Sequence, residues 1–148
     1  MGRIASFLSY SFGDQARILV AAALLLSLPP VLVVVRFERV RHVLLRLTDA
    51  ASVAIPGNPT PARIVSATEV ADRHLPGSRK CLVRSLTTET ILRLYAFTPE
   101  HRIGVAKASD DDMKAHSWLE FDGEVLIGDL KNLSQYEPLP PLDRRDDL

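Results

Sequence analysis

Asp122-Gly123 stands between two β-forming runs, Ala115–Phe121 and Glu124–Asp129, and this hairpin cue constrains the chain more than any other feature. Asp and Gly tolerate the positive φ angles that a tight two-residue hairpin turn requires. Taken literally, such a turn pairs Phe121 with Glu124, Trp118 with Ile127, Ser117 with Gly128 and His116 with Asp129. Directly opposed side chains share a face, with Cβ atoms about 4.5–5.5 Å apart. At that separation the Asp129 carboxylate can orient the His116 ring and support its imidazolium form. A single bulge would shift the register by one residue.

The segment Cys81–Tyr95 reads as a helix, with Leu82, Leu86, Ile91, Leu92 and Leu94 on its apolar side. Ser78 is the candidate N-cap, which puts Cys81 in the first turn. A thiol there meets the positive end of the helix macrodipole, and Arg79 and Lys80 add positive charge; both favour the thiolate. Cys81 is the only cysteine, so an intramolecular disulfide is excluded and a reducing compartment such as the cytoplasm is the simplest setting. A lone cysteine is by itself more often a small buried hydrophobe. With His116 close by, it becomes half of a thiolate–imidazolium pair suited to acyl transfer. Such a pair attacks an amide carbonyl, releases an amine and leaves a thioester for water. The backbone N–H of Cys81 is the first candidate oxyanion donor, because helix N-termini present free donors.

Other residues carry weaker signals. Trp118 shares the face of His116 and is expected to pack there or line the cleft. Asp122 is the alternative to Asp129 but is less apt, since a turn residue points to solvent. Glu120 is assigned to an arginine such as Arg84, while His42, His74 and His101 lack ligand spacing and read as surface residues. Asp110–Asp112 reads as a solvated turn. Lys plus Arg and Asp plus Glu both number 18, so net charge is zero, which argues against non-specific nucleic-acid binding. No phosphate-binding loop is present, and no cofactor or metal is expected.

The N-terminal part is different in kind. Ile18–Val35 is apolar apart from Ser27, Pro29 and Pro30, and its length is at the lower edge of a membrane span. Pro29-Pro30 is expected to break the run into two pieces. Beyond it, Leu32, Val35, Val40, Val43, Leu44 and Leu47 recur at helical spacing among Arg36, Glu38, Arg39, Arg41 and Arg46. The pattern reads as a helical hairpin. It could be a packed cap on the main domain, a membrane-associated hairpin helped by its basic flank, or a signal segment. Thr48–Thr60 loses periodicity and contains Pro56, Gly57, Asn58 and Pro59, so it reads as a linker. Pro61 then suits a first helical turn, with Ile64, Val65, Ala67, Thr68, Val70 and Ala71 as the buried side of a short helix ending before Pro76-Gly77. Ile103 and Val105 suggest a strand. The resulting division is a helical region over 1–47, a linker over 48–60, an α+β domain over 61–139 and a flexible tail over 140–148.

The order of these elements carries a resemblance. Cys81-Leu82-Val83-Arg84-Ser85-Leu86, then Ile103-Gly104-Val105, then Ala115-His116-Ser117-Trp118-Leu119-Glu120 and Asp122-Gly123 resemble the transglutaminase-like proteins. More narrowly, they resemble the lasso-peptide leader peptidases related to the microcin-processing protein. The resemblance covers roughly residues 60 to 139. It implies a papain-like core, a helix bearing Cys81 packed on an antiparallel sheet, with Cys81 as nucleophile, His116 as base and then acid, and Asp129 as orienter. It also implies a peptidase that removes the leader from a ribosomally made precursor, working with a cyclase that closes the ring. Residues 1–47 read as helices rather than as a leader-recognition module. The expected form is therefore the split one, which needs a separate leader-recognition protein. An acyl transferase using the same triad and a non-enzymatic membrane-associated protein are the rival readings.

Overall fold

In the computed structural model, residues 12–51, 59–77, 81–107, 113–128 and 136–138 are described. They form an α+β fold of four helices followed by a four-stranded antiparallel sheet. The helices are α1 (Phe12–Val34), α2 (Phe37–Ala51), α3 (Pro61–His74) and α4 (Cys81–Leu94). The strands are β1 (Glu100–Lys107), β2 (Met113–Phe121), β3 (Glu124–Ile127) and β4 (Glu137–Pro138), in the order β3-β2-β1-β4.

Helix α1 runs straight through Pro29 and Pro30, so the expected break there is not found. Proline lacks an N–H and its ring crowds the carbonyl four residues back, but its fixed φ is itself helical. Leu25 and Leu28, buried just before the pair, anchor that turn in the core, and this burial outweighs the local preference. The ladder then resumes, with Val35 N–H donating to Val31 O at 2.8 Å. The turn to α2 comes at residues 35 and 36. α1 and α2 touch little; α1 packs on α3 and α4, and α2 packs on α4.

Helix α2 extends to Ala51, beyond the expected start of a linker at Thr48. Its inward side carries Val40, Arg41 and Thr48, flanked by half-buried Phe37 and Leu44. Val43 and Leu47, which periodicity put on the apolar side, face solvent. The helix is rotated so that Arg41 turns inward, because a carboxylate waits for it on α4.

Helix α3 follows the sequence closely. Thr60 caps it, its side chain accepting from Arg63 N–H at 3.3 Å, and Pro61 occupies the first turn. The six buried side chains are the six expected from spacing. Helix α4 is central, buried from Val83 almost continuously to Leu92, and it meets α1, α2, α3 and the sheet. Two of its buried threonines satisfy themselves locally: Thr88 and Thr90 hydroxyls donate to Arg84 O and Leu86 O at 2.9 and 2.7 Å. One hydrophobic core joins Ile18, Ala21, Leu25 and Leu28 of α1 to residues of α3, α4 and the sheet. The N-terminal helices are thus packed into the same core as the rest.

The Asp122-Gly123 hairpin forms as expected, with φ of 52° and 81° at the two turn residues. Its register is not the simple one. Phe121 faces Glu124 and Glu120 faces Val125, but Leu119 faces Ile127. A bulge has absorbed Leu126, so Trp118 is not opposite Ile127 and the literal pairing beyond the turn slips by one.

Candidate active site

Cys81 is the first residue of α4, and its side chain is half-buried. The expected cap Ser78 and the neighbouring Arg79 and Lys80 lie outside the described residues. Cys81 opens onto a cleft of about 250 Å³ lined by Glu69, Arg84, Ser85, His116, Leu126, Ile127 and Gly128. The cleft therefore collects side chains from α3, α4, β2 and the end of β3. The two reactive groups expected from sequence, Cys81 and His116, meet there, although among the described residues no hydrogen bond joins them. Catalytic contacts are commonly loose before substrate binds.

The His116 ring is held on three sides. Its Nε2–H donates to Gly128 O at 2.5 Å. Trp118 stacks against it with centroids 6.0 Å apart and planes 20° apart, and Tyr136 tilts against it at 5.6 Å. With Nε2 donating, Nδ1 is the nitrogen left to accept a proton. Trp118 is itself buried, and its indole N–H donates to Glu120 at 2.9 Å. Trp118 lies against Gly104, where an added Cβ would come within 2.6 Å of the indole.

Asp129 lies outside the described residues. Within them, the acceptor that orients His116 is a main-chain carbonyl, that of Gly128, the residue immediately before Asp129. Gly128 has φ of 89°, and a Cβ there would sit 2.6 Å from Ser117 O and 2.9 Å from Trp118 Cβ. Only glycine fits so close an approach to β2. Sequence reasoning passed over Gly128, yet a lone glycine inside a strand pattern is a recognised mark of a bulge or close backbone contact. Asp122, at the exposed hairpin turn, takes no part in the cleft.

Three further expectations meet corrections or limits. Glu120 pairs with Arg102 at 3.1 Å rather than with Arg84, which pairs with Asp72 at 3.3 Å. His42 and His74 are exposed as expected, but His101 is buried. Asp110–Asp112, residues 52–58 and the tail from 139 onward lie outside the described residues.

His101 belongs to a buried polar chain behind the site. Arg41 Nε and Nη2 donate to the two carboxylate oxygens of Glu89 at 2.8 and 3.1 Å. His101 Nδ1 is 3.4 Å from Glu89 Oε1, and His101 Nε2 is 2.6 Å from Ser117 Oγ. Burial works to raise the Glu89 pKa, but the His101 and Arg41 contacts outweigh it and hold the carboxyl below its ordinary range. Ser85 of α4 donates to Ser117 O at 3.3 Å, tying β2 to the helix that carries Cys81. Sequence spacing gave no sign of this chain, because Arg41 and Glu89 are 48 positions apart. Among the described residues, no three His, Cys, Asp or Glu side chains converge as metal ligands would.

A thiol at the start of a helix, a histidine on a neighbouring strand and the sheet order above are what a family comparison must match. The model of the transglutaminase-like superfamily matches residues 24–140. The chain belongs to the transglutaminase-like superfamily. The match includes α1 from Leu24 onward and all of α2, in keeping with their place in the common core. No curated protein and no solved structure matches the chain.

Proposed function

We propose that this transglutaminase-like protein is a cysteine peptidase that removes the leader from a ribosomally made lasso-peptide precursor. The observation that carries the peptidase reading is that Cys81 and His116 line one cleft while Nε2 of His116 is already engaged by Gly128 O. Nδ1 is then the base. It takes the thiol proton, and the sulfur attacks the scissile carbonyl carbon. The carbonyl π pair moves to oxygen, and the N–H groups that a helix start leaves without intrahelical partners, that of Cys81 first, are assigned as its donors. The imidazolium passes its proton to the leaving amine as the C–N bond breaks, and the core peptide departs. Water, deprotonated by Nδ1, then cleaves the thioester and frees the leader carboxylate. Gly128 O accepts from Nε2–H throughout. Asp129, next in the chain, is assigned the support of the imidazolium charge.

The lasso-precursor specificity rests on the sequence resemblance around Cys81, His116 and Asp122-Gly123. It brings with it a separate leader-recognition protein and a cyclase as partners. Contact with a lipid surface is part of the same reading. Helix α1 is 23 residues long and apolar enough to cross a membrane, and Leu19, Leu26, Val33 and Val34 are exposed on it. Exposed Arg36, Arg39 and Arg46 of the adjoining segment supply charge for anionic headgroups.

The test is mass spectrometry of a lasso-peptide precursor incubated with this protein and a leader-recognition protein. Hydrolysis yields two fragments that together equal the precursor plus one water. An amine adduct would instead assign acyl transfer at the same thioester. Full cleavage by the Cys81→Ala variant would exclude both.

A further inference from the structure

The catalytic cleft contains a charge that the chemistry above does not use. Glu69 lines it from α3, one turn before Asp72. Its neighbours Thr68 and Val70 are buried, and Glu69 itself is half-buried. The cation lining the same cleft, Arg84, is engaged by Asp72 at 3.3 Å. Among the described residues Glu69 has neither a hydrogen bond nor an ion pair, so within that part of the molecule this carboxylate in the Cys81 cleft has no counter-charge paired to it. A half-buried charge in a concave site has lost part of its water and gains when an opposite charge arrives. The remaining lining, Leu126, Ile127 and Gly128, offers no charge of either sign.

We infer that Glu69 sets the substrate class of this site by taking a cationic side chain, Lys or Arg, of the bound peptide close to the bond under attack. This rests on the peptidase reading for the identity of the ligand as a peptide. It does not depend on the chemical step. The carboxylate accepts hydrogen bonds from the ammonium or guanidinium, and the ion pair positions the peptide backbone over Cys81. Peptides with Asp or Glu at that position meet like charge and are rejected.

The experiment separates binding from turnover. Fluorescein-labelled, end-blocked octapeptides that differ only in a central Lys, Gln or Glu are titrated into full-length Cys81→Ala protein, and anisotropy gives Kd. The Lys peptide is expected to bind ~10-fold tighter than the Glu peptide at low salt, with the ratio shrinking as salt rises. Adding Glu69→Gln should bring that ratio close to one, and Glu69→Lys should reverse it. Glu69→Asp, which keeps the charge, should retain the Lys preference and shows that any loss is not a folding defect. A ratio that Glu69→Gln leaves unchanged, or an absence of binding by the Lys peptide, overturns the inference. Charge preference without turnover by the wild type would instead refute the peptidase reading and leave Glu69 assigned. Turnover without charge preference would do the reverse.

Discussion

His101 and His116 sit on adjacent strands, and the β1–β2 register turns them to opposite faces of one sheet. The first is 1% exposed and enclosed by Ser117, Glu89 and the edge of the Phe37 ring. The second is half-buried at a cleft, with one nitrogen committed and the other not. Each has a hydroxyl or thiol and a carboxylate within its neighbourhood. What separates a structural network from a reactive one is therefore not residue type. It is whether solvent and substrate can reach the group. The Arg41–Glu89–His101–Ser117 chain is sealed in the interior, whereas Cys81, His116 and Glu69 open onto a cleft.

The sharpest way to break this contrast is to exchange the outcomes. On the proposed mechanism, in which His116 and Cys81 act as a unit, His116→Ala should lower turnover of the precursor by roughly 10³-fold or more. Its urea midpoint should stay near wild type. If His116→Ala unfolds the protein while activity per folded molecule persists, the assignment of the two histidines is reversed.

Next in size is the buried pair. Arg41→Ala leaves the Glu89 carboxylate without its bidentate partner and should destabilise the fold by about 3–5 kcal/mol, read from urea melts. The same pair sets an acid limit. Glu89 has a depressed folded-state pKa, so its contribution is complete above the unfolded-state value of about 4.3. It is lost as pH falls through the lower folded-state value. Stability measured from pH 7 to pH 3 should show that acid loss in the wild type and a flatter profile in Glu89→Gln.

A smaller effect tests what holds the His116 ring. Gly104→Ala would press a methyl group against the Trp118 ring, which stacks on His116. A cost of about 1–3 kcal/mol is expected from overpacking. It should appear partly as a lower kcat, because the displaced indole carries the imidazole with it. Unchanged kcat with lowered stability would confine Gly104 to packing.

Much of this was legible in the residues. The buried face of α3, the Asp122-Gly123 turn and the position of Cys81 in a first turn follow from local spacing, whereas the convergence of Cys81 with His116 was implied only by the family resemblance. Three features did not, for physical reasons. The continuation of α1 through Pro29-Pro30 depends on burial of Leu25 and Leu28 by helices that come later in the chain. The inward turn of Arg41 depends on a carboxylate 48 positions away, and hydrophobic periodicity counts an arginine as outward. The bulge at Leu119/Glu120 changes the count across the hairpin without changing its alternation, and Gly128 was the sole local hint of it.

Helix α4 has a further consequence. It is enclosed by three helices and the sheet for most of its length, with the sulfur at its half-buried first residue. Such a segment is among the last to open in local fluctuations, and its amides should exchange with solvent most slowly. Cys81 is thus carried on a rigid mount, and in the proposed reaction it is the bound peptide that must be brought to the sulfur.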